Sequence, residues 1–484
     1  MLRPEKVGQK RKGRMARDEE TGNGSQEEKP QRLSSRLLTA FRSRPVLLFA
    51  FALAIMADPI SSVAYAIEAA LGELGNDLSL LLPTMGLVVL VIAVVVVNYR
   101  QLVSRFPQGG GAPAATGQAF GEPWAFVPIG ALIVDFALTA AISVSSGASN
   151  IIAYLPELAT NQVVLALGLL LVVGVISWFG HSARSLFGLM AMAFIVVGVV
   201  VLVGGASADP ATTSTGSGGS GGFALVTILL AFPVAMALAT GVEAPSTAIA
   251  QLGQLDNEDR KRFGHLSLFA TLLIVGTLTI GFAALALRHG IRLPLEESTL
   301  TAEIAKASVG SFLFAAFQAV IVLLLIAAGA SALQAGPGMI KALARERTES
   351  DEARGVLPGW LGQINRYYTP YWSLLIYAGV AAALVLAAGA DEQTLVLFYA
   401  VSVFMSFLAG LVSMLVFSYR EGYRGSLALN TVGTLIVAFV LVMNLARVTP
   451  LASLGAAILL AFGLYWLWVK NERPRGIAGE EAEE

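Results

Sequence analysis

Long apolar runs, separated by short polar connections, recur from residue 46 almost to the end of the chain. A helix needs about 20 predominantly apolar residues to cross the hydrocarbon core of a bilayer. On that measure twelve spanning helices are expected, near 46–74, 79–98, 124–153, 163–180, 185–205, 223–252, 265–287, 310–335, 372–390, 393–418, 425–446 and 449–469. The polar stretches 1–44 and 471–484 fall outside the pattern and read as tails, the first as a disordered one. The fold class this predicts is an all-α integral membrane protein.

Composition agrees. Of 484 residues, 56% are hydrophobic and 13% charged, with a mean hydropathy of +0.71. A soluble domain carries about 25% charged residues. There are no cysteines, which excludes disulfides and thiolate metal sites, and the three histidines (His181, His265, His289) stand apart from one another. No cofactor and no nucleic-acid partner is expected, and the partner implied is the lipid bilayer. The polar start of the chain lacks the apolar core of a cleaved signal.

Lys and Arg set the orientation, since inner loops carry the excess of basic residues. Twelve lie in the N-terminal tail and sixteen in the loops and tail on the same side, against four (Arg288, Arg292, Lys306, Arg447) on the other. Both termini are therefore expected in the cytoplasm of a cell in whose plasma or inner membrane the protein sits. No basic side chain falls within an expected span.

Four acids do: Asp58 and Glu68 in the first span, Asp135 in the third and Glu243 in the sixth. An ionisable group in a membrane helix is costly and usually marks an ion path, a proton relay or a wet cavity. In "MADPISSVAYAIEAAL" (56–71), Asp58 precedes Pro59, a pair suited to capping a restarted helix, with free N–H groups at Ser61 and Ser62. Even a cap implies an interrupted helix, and interruptions are tolerated where they line a cavity. The third span places Asp135, Thr139 and Ser143 at i, i+4 and i+8, one polar stripe on an apolar helix. Those hydroxyls either bond back to their own backbone or serve as oxygen ligands for a cation.

In the sixth span, Thr240-Gly241 and Pro245 bracket Glu243. Interruptions in helices one and six, five spans apart, are the trace of a 5+5 inverted repeat whose broken helices frame the substrate site. The chain then divides into repeats at 45–222 and 223–418, followed by two further helices over 419–470. Glu243 reads equally as a site group or as a tie for the unwound segment, and Glu68 as a group facing an outer vestibule. Tyr399 in the tenth span reads as core or as a site aromatic. "FPQGGGAPAATGQAF" (106–120) lacks the Lys-Ser or Lys-Thr of a phosphate loop and suits an intracellular gate, flexible or re-entrant. Residues 214–222 read as an external linker, and 337–355 as a short amphipathic helix.

At these residues the chain resembles the amino acid–polyamine–organocation transporter superfamily, and within it the KimA-type potassium uptake branch, which is related to the KUP transporters. The stretches that carry the resemblance are "DPISSVAYAIEAAL", "YRQLVSRFPQGGGA", "IVDFALTAAISVSSG", "ATGVEAPS" and "FYAVSVF". It implies a LeuT-like fold and proton-coupled potassium import. By it, Asp58 and Tyr65 from helix one, Asp135, Thr139 and Ser143 from helix three, Thr240 from helix six and Tyr399 from helix ten form the site. Asp58, Asp135, Thr139, Ser143 and Thr240 would hold potassium. The resemblance also allows a homodimer through the last two helices. Two departures stand out: Phe136 occupies a position where the branch has a tyrosine, and only 471–484 follow the last span, so a large regulatory domain there is not expected.

The residues themselves favour a cation. An aspartate at the helix-one break repels a substrate carboxylate, and proline removes a backbone donor. The fifth span has no lysine to stand in for a sodium ion, so proton coupling falls to carboxylates, with Asp58 and Asp135 the candidates. The expected activity is secondary active transport by alternating access, as potassium–proton symport. The rival is an amino acid or cationic amine permease of the same fold. No nucleophile–base constellation suggests an enzyme, and no selectivity-filter repeat suggests a channel.

Overall fold

The computed structural model describes residues 44–180, 184–210, 224–252, 255–293, 295, 297–344, 355–446 and 451–474. Among them there is no β-strand. Sixteen α-helices follow in order: α1 Arg44–Ser61, α2 Val63–Glu73, α3 Leu78–Arg105, α4 Gly111–Phe120, α5 Glu122–Tyr154, α6 Gln162–Trp178, α7 Arg184–Ser207, α8 Ala224–Ala235, α9 Ala244–Ala248, α10 Asn257–His289, α11 Leu300–Ser308, α12 Ser311–Ala344, α13 Tyr371–Ala387, α14 Glu392–Glu421, α15 Arg424–Leu445 and α16 Leu451–Lys470.

Among the described residues, eleven helical stretches are long and apolar enough to cross a membrane. α1–α2 count as one stretch from Phe51 to Glu73, and α8 through Gln251 as another. The span expected at 372–390 is the shorter apolar helix α13, of 17 residues. Large apolar side chains such as Leu171, Leu189, Leu230, Leu435 and Phe462 are exposed, the arrangement a lipid solvent favours.

α5 is the axis of the bundle. It packs against α12, α14 and α16, and also against α4, α6 and α13. Its sequence explains this: Gly130, Ala131, Ala137, Ala140, Ala141, Ser145, Ser146, Gly147 and Ala148 are all small. With little apolar gain from burying side chains away from lipid, membrane helices associate by close backbone packing at such residues. At Gly130 the approach is tightest, since a Cβ there would lie 2.6 Å from the carbonyl oxygen of Ala457 in α16.

Two expectations change. The Gly-rich stretch 106–120 is a tight turn leading into the buried helix α4, not a flexible loop; Gly109 to Gly111 take positive φ, and Gly109 and Gly111 pack against Ala250, Thr247 and Ser246 at the end of helix six. The short helix expected over 337–355 is absent as a separate element, because α12 runs unbroken through Pro337 to Ala344, and 345–354 lie outside the described residues. The expected linker 214–222 and tail 1–43 also lie outside them.

Gly130→Leu should separate α5 from α16 at the cost of overpacking, about 1–3 kcal/mol. A lowered thermal midpoint of the detergent-solubilised variant, against an unchanged Gly455→Leu control in open space, is the expected result.

Candidate functional site

Helix one is interrupted less than its sequence suggests, and not where expected. α1 continues through Asp58 and Pro59 to Ser61, only Ser62 departs from α-helix, and α2 resumes at Val63. Pro59 has no N–H to give to the carbonyl four residues back, and it weakens the helix without ending it. The Ser61 hydroxyl donates to the Asp58 carbonyl at 2.7 Å, and that of Ser62 to Pro59 at 2.7 Å and to Leu238 of helix six at 3.1 Å. Asp58 is therefore not a cap. Its side chain is buried, and Oδ1 has no hydrogen-bond partner.

Helix six is broken outright. α8 ends at Ala235, a 3-10 turn covers Met236–Ala239, Thr240 is extended, Gly241 takes φ +71°, and α9 begins at Ala244 with Pro245 second. The break meets helix one face to face: a Cβ on Gly241 would sit 2.7 Å from Asp58 Oδ2 and 2.8 Å from Pro59 Cδ. Only glycine supplies both the left-handed backbone and the room. The Thr240 hydroxyl donates to the Ala237 carbonyl at 2.6 Å, and Ser246 to that of Glu243 at 2.7 Å.

On α5, Asp135, Thr139 and Ser143 are all buried, at 2%, 1% and 1% exposure. Serine and threonine commonly bond back to a carbonyl one turn earlier, as Thr84, Thr116, Ser413 and Thr431 do here. Thr139 does not, and its hydroxyl and Asp135 Oδ1 both lack partners. Ser143 packs its Cβ toward Gly329 of α12.

These elements converge. Asp58, Asp135 and Glu243 lie within electrostatic reach of one another. Tyr65 of α2 neighbours Asp58, Thr240, Ser61 and Asp135. Tyr399 of α14 neighbours Asp135, Glu243, Asp58 and Tyr65, and its hydroxyl stays short of hydrogen-bond geometry. Glu243 is buried with Oε2 unpartnered. No ion pair to any of the three carboxylates occurs among the described residues, nor do three carboxylates or histidines close on a single point as a metal centre would require. What the arrangement offers is a spread cluster of three buried carboxyls and several unpartnered hydroxyls, with no basic side chain paired to the acids among the described residues.

Two further phenols join it. Tyr99 of α3 neighbours Glu243 and Asp135, and Tyr377 of α13 neighbours Asp135 with its ring against Gly336. Both hydroxyls are buried and unpartnered. Nothing local in the sequence marks them, since a lone tyrosine near a span end reads as an interfacial anchor.

Glu68 lies elsewhere. Its Oε2 accepts the Leu300 N–H at 2.8 Å, capping α11 with Thr299, whose hydroxyl takes the Ala302 N–H at 3.2 Å. Its electrostatic neighbours are Asp391 and Glu392 at the start of α14, and Glu392 accepts a 2.7 Å bond from Ser149.

From the end of the bundle that carries Arg105 and Arg260, a cavity of about 420 Å³ reaches the cluster. Asp58 and Glu243 line it, with Phe51, Leu132, Phe136 and Thr247.

An all-helical membrane bundle with a broken helix and unpaired acids at its centre defines a transporter class, and comparison with known proteins agrees. The family model described as "Amino acid permease" matches residues 47–477. The chain belongs to that family, within the amino acid–polyamine–organocation superfamily and on its KimA-like branch. It is 28% identical over 407 residues to the potassium transporter KimA of Bacillus subtilis (strain 168). That match covers 80% of this chain and 64% of the relative, so it spans less than two thirds of the relative's length. The protein is a multi-pass membrane member of that family.

An unpaired buried acid costs stability that a neutral amide would not. Asp135→Asn and Glu243→Gln should each raise the thermal midpoint of the ligand-free protein, by the equivalent of about 1–3 kcal/mol. Melting in a buffer free of potassium, sodium and amines is the check, and a lowered midpoint would show that the carboxylates are satisfied in the native state.

Proposed function

We propose that this protein is a secondary active transporter that imports potassium together with protons by alternating access. The observation that carries the reading is the cluster of unpartnered buried oxygens at the crossing of helices one, three and six, three of the groups being carboxyls with no basic partner among the described residues. Such a cluster rejects anions, and it needs positive charge before it can be sealed from water. In this reading Asp58, Asp135, Thr139, Ser143 and Thr240 hold the cation, with Tyr65 and Tyr399 completing its oxygen shell. The similarity to a potassium transporter supports the choice of ion.

The proposed cycle uses charge as the gate. A proton on Asp58 or Asp135, with the cation held by the remaining oxygens, brings the site close to neutrality. Only then can the helices close over it, because an unneutralised cluster would hold several charges in an apolar core. Twelve spans with α13 as the ninth, a 5+5 inverted repeat with helices one and six discontinuous, and termini in the cytoplasm complete the proposal. On that orientation the cavity opens toward the cytoplasm.

A second reading, a cationic amine permease, is favoured by one observation. Phe136 lines the same cavity as Asp58, and its ring adds hydrophobic contact for an organic cation while supplying no oxygen ligand to an inorganic one.

Proteoliposomes free of potassium and given an inward proton gradient should accumulate rubidium, lose that uptake with a protonophore and be competed by potassium. Asp135→Asn should abolish the coupled uptake, and retained proton-driven uptake in that variant would refute its role. Gly241→Ala, which strains a left-handed residue and displaces the Asp58 carboxylate, should cut uptake more than about tenfold, from roughly 1–2 kcal/mol of backbone strain plus the displaced ligand. A stimulated uptake of an amine with no rubidium flux would establish the second reading instead.

A further inference from the structure

The connection from α12 to α13 carries side chains that the buried cluster does not use. Over 355–374, "GVLPGWLGQINRYYTPYWSL", it has five aromatic residues, one basic residue, Arg366, and no acid. Its centre is a built turn. Asn365 Oδ1 accepts the N–H groups of Tyr367 and Thr369 at 2.8 and 3.1 Å, and the Asn365 N–H donates to the Thr369 carbonyl at 2.9 Å. Within it Tyr368 takes φ +64°, a left-handed backbone that a tyrosine keeps only where its surroundings enforce it. Three helices do so. Asn365 Nδ2 donates to the Trp178 carbonyl at the end of α6 at 2.9 Å, Lys341 Nζ of α12 to that of Tyr368 at 3.3 Å, and the Ser373 hydroxyl of α13 to that of Leu361 at 2.7 Å.

The turn holds its polar and aromatic groups outward. Arg366 is exposed, lies 4.7 Å from the centre of the Tyr367 ring and makes no ion pair among the described residues. Tyr368 is 71% exposed, and Trp360, Ile364 and Trp372 are exposed with it. Aromatic rings with a polar edge are favoured at the level of lipid headgroups. The helix that follows fixes the same level. α13 has 17 residues, about 25 Å of helix, against a hydrocarbon core of about 30 Å. So short an apolar helix crosses only where the bilayer thins or flanking residues anchor its ends.

We infer that the Arg366 turn is a binding site for the headgroup of an anionic phospholipid, with the phosphate on the guanidinium and the glycerol and upper chains against the exposed rings. A planar guanidinium binds phosphate through paired charge-assisted hydrogen bonds. A zwitterionic lipid meets the rings equally well but brings its own ammonium beside the phosphate. Preference for the anionic headgroup is therefore the mark of the site. The inference concerns the outer surface of the bundle and stands whichever substrate the protein carries.

The test titrates the purified full-length chain, in detergent, with phosphatidylglycerol or with phosphatidylcholine of the same acyl chains. The saturable rise of the thermal midpoint gives an apparent affinity for each lipid. Phosphatidylglycerol should bind about fivefold more tightly, the effect of one basic residue meeting an anionic headgroup. Arg366→Gln should bring the two affinities together by weakening phosphatidylglycerol alone, whereas Arg366→Lys, which keeps the charge, should retain a preference. Arg424→Gln, at an exposed arginine outside this loop, should leave the ratio unchanged. Arg366 is exposed, so its exchange leaves the fold intact. Equal affinity for the two lipids in the unaltered protein would overturn the inference, as would a preference that survives Arg366→Gln. A loss as large in Arg424→Gln would do the same, because the preference would then belong to surface charge in general.

Discussion

Three carboxyl groups, from Asp58, Asp135 and Glu243, lie inside an apolar bundle, and among the described residues none has an ion-pair partner. Taking one ion out of water costs several kcal/mol even after the protein relaxes. The helix packing around them offsets that cost elsewhere: α5 uses small residues to bring α12, α14 and α16 into close contact, so the polar cluster is held by a dense scaffold. The same density removes the freedom of the acids to turn away toward water. Whether these groups carry charge is therefore tied to what shares the cluster with them, since burial without an ion-pair partner disfavours the charged form.

The opening of the cavity at one end gives the cluster a direction. Thr240, Gly241 and Glu243 come from a segment that has left the helical ladder, while the residues before and after it remain helical. A segment of this kind has few internal bonds to lose when it moves, and the low-stability parts of a structure are where motion concentrates. The turn before α4 packs directly on the far end of helix six at Ser246, Thr247 and Ala250. The segment after the break thus rests on a buried helix whose Pro113 and Ala114 line the cavity.

Much of this was legible in the sequence, and the exceptions have physical causes. Span positions followed from the length of apolar runs, which the bilayer thickness dictates. The polar stripe Asp135–Thr139–Ser143 followed from helical periodicity, and the break in helix six from a glycine and a proline four residues apart. Asp-Pro is compatible with a helix start as well as with a site residue, and the structure removes the first reading, since Asp58 lies within a helix and against Gly241. The Glu68 bond to the Leu300 N–H was not legible, because the two lie 232 residues apart. Tyr99 and Tyr377 carried no local signal at all, since their proximity to the acids is a property of helix arrangement and not of spacing along the chain.

The contact between Gly241 and Asp58 also bears on how such a protein can change over evolutionary time. Position 241 admits no side chain, so new ligand preferences cannot be written there without dismantling the crossing of the two helices. The cavity wall is less constrained: Phe136 borders open space there, so a change at that position alters what the cavity accepts while the crossing of the two helices is kept, much as a lock keeps its bolt and changes only its wards.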